Sequence, residues 1–330
     1  MANPSTFDWK KGAVREGRKL ILTRSGCSRP LSESWPQAGS RPHDIKLWLQ
    51  QQEWFPLKWV NLLFSVGGIQ QDGERIVLDA FPPADLDKDP LYRLASEGAA
   101  VQALAACRVL YEDDSVLVMH KPTGVPVHAS KPGERGTLDE AAARHMLKKG
   151  DPLPVRHIHR LDNETSGPVL YSKHDLAQLR LDEAMRQKAI ERVYLAFVQG
   201  KISKPRGVIN APIGRDRKQS SRRCVTHNGD PAVTRYETME RYPKATLVRI
   251  RLETGRTHQI RVHMSYLGHP LIGDSLYGGE TVLLKHQALH GEMLVFNHPL
   301  HGAPIKVQSP LPEWHSLLKH TLSEPSSPWL

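Results

Sequence analysis

Arg156-His157-Ile158-His159-Arg160-Leu161-Asp162-Asn163-Glu164-Thr165-Ser166-Gly167 closes a β-type segment and sets one carboxylate, Asp162, beside one arginine, Arg160. Alone, an Arg-Leu-Asp run is common and carries little. Two later stretches give it company. Arg192-Val193-Tyr194-Leu195-Ala196-Phe197-Val198 is a β-branched and aromatic run that reads as a strand. Gly255-Arg256-Thr257-His258-Gln259-Ile260-Arg261-Val262-His263 opens a helix that Thr257 can cap, with Ile260, Met264 and Leu267 inward and Gly268 as its stop.

The flanking chain supplies the frame. Val109-Leu110-Tyr111 and Val116-Leu117-Val118-Met119 enclose a polar turn and predict a hairpin, and the capping box at Thr137-Leu138-Asp139-Glu140 starts a helix that runs to about Lys149. Ser172-Lys173-His174-Asp175 starts another, with Ala177, Leu181, Ala184 and Met185 on one face. Thr246, Val248, Ile250 and Leu252 alternate with Leu247, Arg249, Arg251 and Glu253, as in a half-buried strand with a mainly polar outer face. Strands and helices are interspersed without a βαβ rhythm, which predicts an α+β fold with a mixed, mainly antiparallel sheet flanked by helices.

Residues 156–167 closely resemble the active-site motif of the RluA-type pseudouridine synthases, RNA enzymes that convert selected uridines to pseudouridine. Further look-alikes follow in family order: Tyr111-Glu112-Asp113-Asp114, His120-Lys121-Pro122-Thr123-Gly124-Val125, the Tyr194 and Arg261 stretches, Gly229-Asp230-Pro231-Ala232-Val233-Thr234, and Leu267 through Gly278. The resemblance implies the pseudouridine synthase fold over residues 105–320. It implies Asp162 as the catalytic carboxylate, Tyr194 as the group that stacks on the base, Arg261 as the electrostatic partner of Asp162, and Arg160 as the wedge filling the gap left by a flipped nucleotide. Pro168 stands where the family more often has an apolar residue, so its strand is expected to begin late or lie at an edge. Arg192 keeps the positive charge of the family's usual lysine.

The implied chemistry cleaves the bond from sugar C1′ to base N1, turns the base, bonds C1′ to C5 and releases the C5 proton. A carboxylate, a group to hold the loose base and a proton acceptor suffice. The carboxylate must be ionised, and a neighbouring fixed cation favours that form. Covalent attack at C1′ and proton removal at C2′ both use one aspartate, and both stay open. No cofactor is expected; the chain has no Gly-x-Gly-x-x-Gly, no phosphate loop and no His-Glu-x-x-His. The target nucleotide must leave the stack to be reached. RNA contacts are expected from Arg160, His159 and Arg256, and from the basic run Arg215, Arg217, Lys218, Arg222 and Arg223, which only Asp216 opposes.

Composition agrees with an RNA partner. Among 330 residues, 45 Lys and Arg against 35 Asp and Glu leave a net charge of +10, which attracts polyanions. The ordinary share of hydrophobic residues, 39%, rules out a chiefly disordered chain. Structured RNA is the expected partner, ribosomal RNA ahead of transfer RNA. Cys27, Cys107 and Cys224 are odd in number and far apart, which suggests neither a disulfide framework nor a metal pair. His157-x-His159 and the His258 and His263 pair match no common zinc spacing, so no metal is expected. No run approaches the ~20 apolar residues of a membrane helix, and a cytoplasmic monomer is the expectation. A non-catalytic ribosome-assembly or RNA-chaperone factor and, more weakly, a metal-dependent RNA hydrolase are the competing classes.

Residues 1–40 mix Lys10, Lys11, Arg15, Arg18, Lys19, Arg24 and Arg29 with Gly, Ser and Pro and predict a basic, mobile or loosely docked extension. Residues 41–100 read as two short helices, a hairpin around Gly67 to Glu74, and a linker at Pro82-Pro83. This part faintly resembles the small S-four-like RNA-binding module that often precedes the family's catalytic domain. It is degenerate, because Gln50, Gln51, Gln52 and Glu53 stand where arginines are expected. An RNA role and a structural role are both open for it.

Overall fold

The structure, a computed structural model, describes residues 7–27, 34–97 and 102–324. Asp8 caps the short helix α1 (Trp9–Gly12), which leads into β1 (Ala13–Glu16) and β2 (Lys19–Leu22). Helices α2 (Pro42–Gln51) and α3 (Leu57–Ser65) follow, then the hairpin β3 (Ile69–Asp72) and β4 (Arg75–Leu78), as the apolar pattern predicts. The four strands form one antiparallel sheet in the order β1-β2-β4-β3.

That sheet corrects the expectation of a loose extension over residues 1–40. Leu20, Ile21 and Leu22 are buried, Phe7 packs on Trp54 with ring centroids 4.4 Å apart, and Arg15 reaches Asp114 at 3.1 Å and Asp151 at 2.7 Å. Four-residue strands are too short to show a period, and the charged Arg15, Glu16 and Lys19 within them obscured the apolar positions. Arg29, with the rest of residues 28–33, lies outside the described residues.

Asp89 caps α4 (Pro90–Ser96), whose buried Tyr92 donates to the Leu153 carbonyl. The next elements are β5 (Arg108–Glu112), β6 (Val116–Lys121), α5 (Leu138–Lys148), β7 (Arg156–His157), β8 (Gly167–Ser172) and α6 (Asp175–Arg186). They are followed by β9 (Glu191–Gln199), β10 (Arg206–Asn210), β11 (Ile213–Arg215), β12 (Arg223–Val225), β13 (Val233–Arg241), β14 (Ala245–Leu252), α7 (Gln259–Tyr266), β15 (Leu289–Asn297), β16 (Pro304–Gln308) and α8 (Glu313–Ser323). One sheet has the order β5-β6-β8-β7 and a larger one β10-β13-β14-β9-β15-β16, with β11 and β12 as a separate hairpin. Every pairing between these strands is antiparallel, in line with the predicted α+β class.

The two sheets touch where Ser166 bridges His290 and the Gly291 amide donates to the Ser166 carbonyl at 2.7 Å. Only glycine fits at Gly167, which has φ +137°; a Cβ there would lie 2.6 Å from the Gly291 Cα. This backbone contact hangs the loop between β7 and β8 over β9, because Tyr194 of β9 is the register partner of Gly291. Pro168 does not delay the strand, and it sits where β8 is locally an edge. It pairs with His120 inside β8, and β7 reaches only Tyr171 and Ser172, so the Pro168 side of β8 has no ladder neighbour to serve.

Helix α7 packs Ile260 and Met264 into one core with Tyr194, Val248 and Ile250. Its start differs from the expected Thr257 cap. His258 occupies the N-cap position with φ 58° and ψ 19°, and Leu267, expected inward, falls past the last helical turn and is exposed.

A charged cluster ties the smaller sheet to α5. Burial opposes ionisation of Glu112, but hydrogen bonds from Lys149, Lys173 and His145 outweigh it and pull its carboxyl down to about 2. A depressed carboxyl pKa contributes stability that is present above the unfolded value of about 4.3 and lost as pH falls towards 2. Between pH 5 and 2, wild type should therefore lose more stability than Glu112→Gln, measured by denaturant titration at each pH. Equal losses would remove Glu112 as a source of acid sensitivity.

Candidate active site

The loop between β7 and β8, the end of β14, the start of α7 and the middle of β9 enclose a cleft of about 610 Å³. Its size falls in the range of sites that take one small ligand or one nucleotide. Asp162, Arg160, Tyr194, Arg192, His258, Arg261 and Leu289 are among its walls.

The backbone beneath Asp162 is pinned. Buried Lys121 donates through Nζ to the carbonyls of Pro122 (3.0 Å), Val125 (2.6 Å) and Asn163 (2.7 Å), while the Thr165 amide closes a turn on the Asp162 carbonyl at 3.0 Å. Burial lowers the Lys121 ammonium to about 8, against the opposing pull of Glu164, Cys107 and Asp162. Three carbonyl acceptors replace the water this cation has lost.

Arg261 is shared by two carboxylates. Its Nη1 donates to Asp162 Oδ2 at 3.1 Å, and its Nε and Nη2 grip Asp274 at 2.7 and 2.8 Å as a bidentate pair. Burial opposes the Arg261 charge, but Asp274 and then Asp162 raise its pKa well above the ordinary arginine value. The ring of Tyr277 lies under the guanidinium, 4.9 Å from centroid to Cζ. Asp274 is 1% exposed, whereas the Asp162 side chain is 26% exposed and opens into the cleft. Among the described residues no donor reaches Asp162 Oδ1. One carboxylate oxygen is thus held and the other is presented.

Tyr194, 5% exposed, shows its ring to the same cleft, and burial raises its phenol pKa. Arg160 is exposed at the rim, with Nη1 3.1 Å from His128 Nε2, and His128 stacks on His157 at 5.5 Å. Arg256 is also at the rim, donating to the Pro231 carbonyl at 3.1 Å. Arg215, Arg217 and Lys218 stand exposed on the β11–β12 hairpin, without an ion pair among the described residues. Arg222 sits 3.8 Å from Asp216 and lies over the Tyr277 ring; the Arg223 amide donates to the Tyr277 hydroxyl at 2.9 Å. By contrast, Arg206, Arg235, Arg249 and Arg251 on the face of the large sheet are each paired with a glutamate.

His159, expected to contact RNA, lines the cleft but is nearly buried. It is 6% exposed, accepts from the Leu170 amide at 3.3 Å, and burial lowers its pKa to about 3 with help from Arg192 and His157. It supports the Asp162 loop from beside β8, through its contact with Leu170. Four further residues of the site were given no role in it from sequence: Asp274, His258, Tyr277 and Arg192. The first three lie in stretches that resemble family motifs, but nothing local marks them as partners of Asp162. Arg192 is buried and donates to the Thr254 carbonyl at 3.4 Å. Among the described residues no group of three His, Cys, Asp or Glu side chains is placed to hold a metal ion, and no helix is long and apolar enough to cross a membrane.

Residues 115–266 match the family model for RNA pseudouridylate synthases. The chain is 45% identical over 206 residues to the uncharacterized RNA pseudouridine synthase YhcT of Bacillus subtilis, covering 62% of this chain and 68% of that relative. It is 40% identical over 215 residues to the ribosomal large subunit pseudouridine synthase D of Nitrosomonas europaea, covering 62% of each. Among solved structures it resembles human RNA pseudouridylate synthase domain containing 1, with a TM-score of 0.56 and 25% identity over 66% of this chain and 89% of that one.

Proposed function

Since this chain belongs to the RNA pseudouridine synthase family and is thereby an RNA-modifying isomerase, we propose that Asp162 is its catalytic carboxylate and structured large-subunit ribosomal RNA its substrate. The observation that carries the first part is the asymmetric hold on Asp162. Arg261 anchors Oδ2, Oδ1 has no donor among the described residues, and Asp162 lines a nucleotide-sized cleft together with Tyr194. An ionised carboxylate so held can attack C1′ or take the C2′ proton without first losing its own. Tyr194 stacks on the freed base while it turns, and its phenol is placed to relay the C5 proton. Likeness to the ribosomal large subunit pseudouridine synthase D supports the ribosomal choice over transfer RNA.

In the same proposal residues 105–320 form the catalytic unit and residues 41–100 pack beside it as a structural module. The protein works as a cytoplasmic monomer without a nucleotide cofactor. The test is tritium release from C5-tritiated uridine in RNA from a strain lacking this protein, with ribosomal precursors and transfer RNA assayed separately. Release from ribosomal RNA supports the assignment; release from transfer RNA alone would overturn the substrate, and release from neither would favour the assembly-factor class.

In this proposal Arg160, exposed and touching His128 at its tip, swings into the duplex as the wedge. Arg160→Ala should weaken productive binding about tenfold for a well-stacked target and much less for an unstructured loop, since the wedge offsets unstacking. Equal losses on both RNAs would refute a wedge. Replacing Arg215, Arg217 and Lys218 together by Ala should make the salt dependence of RNA binding shallower by about 0.7–0.9 per lost phosphate contact in a plot of log K against log salt. An unchanged slope would exclude the hairpin from the RNA path.

A further inference from the structure

His258 stands behind Asp162 with its ring in an unusual setting. Its backbone is left-handed, φ 58°, a conformation that costs a non-glycine residue energy and persists where the surroundings demand it. The ring is gripped at one end: Nδ1 lies 2.8 Å from the Tyr277 hydroxyl. At the other end Nε2 lies 4.0 Å from Asp162 Oδ2, the oxygen that Arg261 already holds.

The hydrogen-bond partners fix the tautomer. The Tyr277 oxygen accepts from the Arg223 amide at 2.9 Å. Tyr277 is 3% exposed, and among the described residues its hydroxyl proton has no acceptor other than His258 Nδ1. A buried hydroxyl left without an acceptor is costly, so the phenol donates to Nδ1 and the remaining ring proton resides on Nε2, facing Asp162. Arg223 opens β12 of the basic hairpin, and the neighbouring Arg222 lies over the same Tyr277 ring, 5.3 Å from its centroid. A continuous path therefore runs from the hairpin backbone through Tyr277 and His258 to the held oxygen of Asp162.

We propose that His258 is a positioning residue for the reaction: its Nε2–H, oriented by Tyr277, closes on Asp162 Oδ2 when RNA seats the β11–β12 hairpin, leaving Oδ1 as the reacting oxygen. This rests on Asp162 being the catalytic group. Catalytic hydrogen bonds that are long in the free enzyme commonly tighten on substrate binding, and closure here needs about 1 Å. The expected signature is a loss in kcat rather than in KM, because the contact matters in the transition state.

The test uses the full chain with the RNA substrate found by tritium release. His258→Gly suits the left-handed backbone, so folding is spared, and should lower kcat about ten- to a hundredfold with KM changed less than about threefold. His258→Gln restores an N–H of similar reach and should recover part of the loss. Tyr277→Phe keeps the ring under Arg261 and Arg222 but removes the hydroxyl. It should lower kcat in the wild-type background and scarcely further in His258→Gly, since the two act through one path. Turnover of His258→Gly within twofold of wild type would overturn the proposal, as would fully additive losses in the double variant. Asp162→Asn is the separate control: if it too retains turnover, the assignment of the catalytic carboxylate fails rather than the role of His258.

Discussion

Asp162→Asn is expected to abolish tritium release, lowering kcat by at least about 10⁴-fold, while RNA affinity stays within a few fold. Asparagine has nearly the same shape and can still sit beside Arg261, but it carries no negative charge and cannot attack C1′ or take the C2′ proton. The fold should hardly notice. Arg261 keeps its bidentate grip on Asp274, so no buried cation is stranded and the melting temperature should move by less than about 2 °C. Kinetics and a thermal melt on the same preparation check both halves. Turnover within tenfold of wild type would remove Asp162 from the chemistry.

Asp274→Ala should damage both stability and turnover. Arg261 is 9% exposed and would lose two of its three hydrogen bonds to carboxylates, leaving a buried guanidinium with Asp162 as its remaining carboxylate partner. Breaking a buried pair from one side costs about 3–5 kcal/mol. For a domain of this size that is a fall on the order of 10 °C in melting temperature. Turnover should drop by more than about a hundredfold, because the released arginine can turn fully onto Asp162 and occupy the oxygen that now faces the cleft. Asp274→Asn keeps an acceptor and should lie between the two. An Asp274→Ala protein that melts like wild type and retains its turnover would show that Arg261 does not depend on this carboxylate.

Much of the local architecture was legible because short-range physics writes it into neighbouring residues. The capping box at Thr137 forms at its serine-like hydroxyl, Thr137 Oγ accepting from the Glu140 amide. The alternation at Thr246 to Leu252 is strand β14, and the helix, helix and hairpin of residues 42–78 stand where their apolar positions put them. Strands β1 and β2 escaped notice because each contributes only four residues, and their hairpin is held by the pairing of β2 with β4, more than fifty residues away, rather than by its own pattern. The burial of His159 was hidden for a related reason. Adjacent to exposed Arg160 in the chain, it is covered by β8, whose Leu170 amide donates to it.

The chain's own order of residues specified the elements that carry the candidate site: the strand of Tyr194, the helix of Arg261 and the loop of Asp162. Those follow from residue type and spacing within a dozen positions. The geometry that makes a site of them did not follow. Asp162 and Arg261 are separated by 99 residues, and Arg261 meets Asp274 across a turn of 13. Their meeting depends on two glycines, Gly167 and Gly291, letting the sheets touch, and on how buried polar groups were satisfied once they had. Charges and hydrogen bonds in a protected interior choose partners by distance in space, and sequence separation has no bearing on that choice.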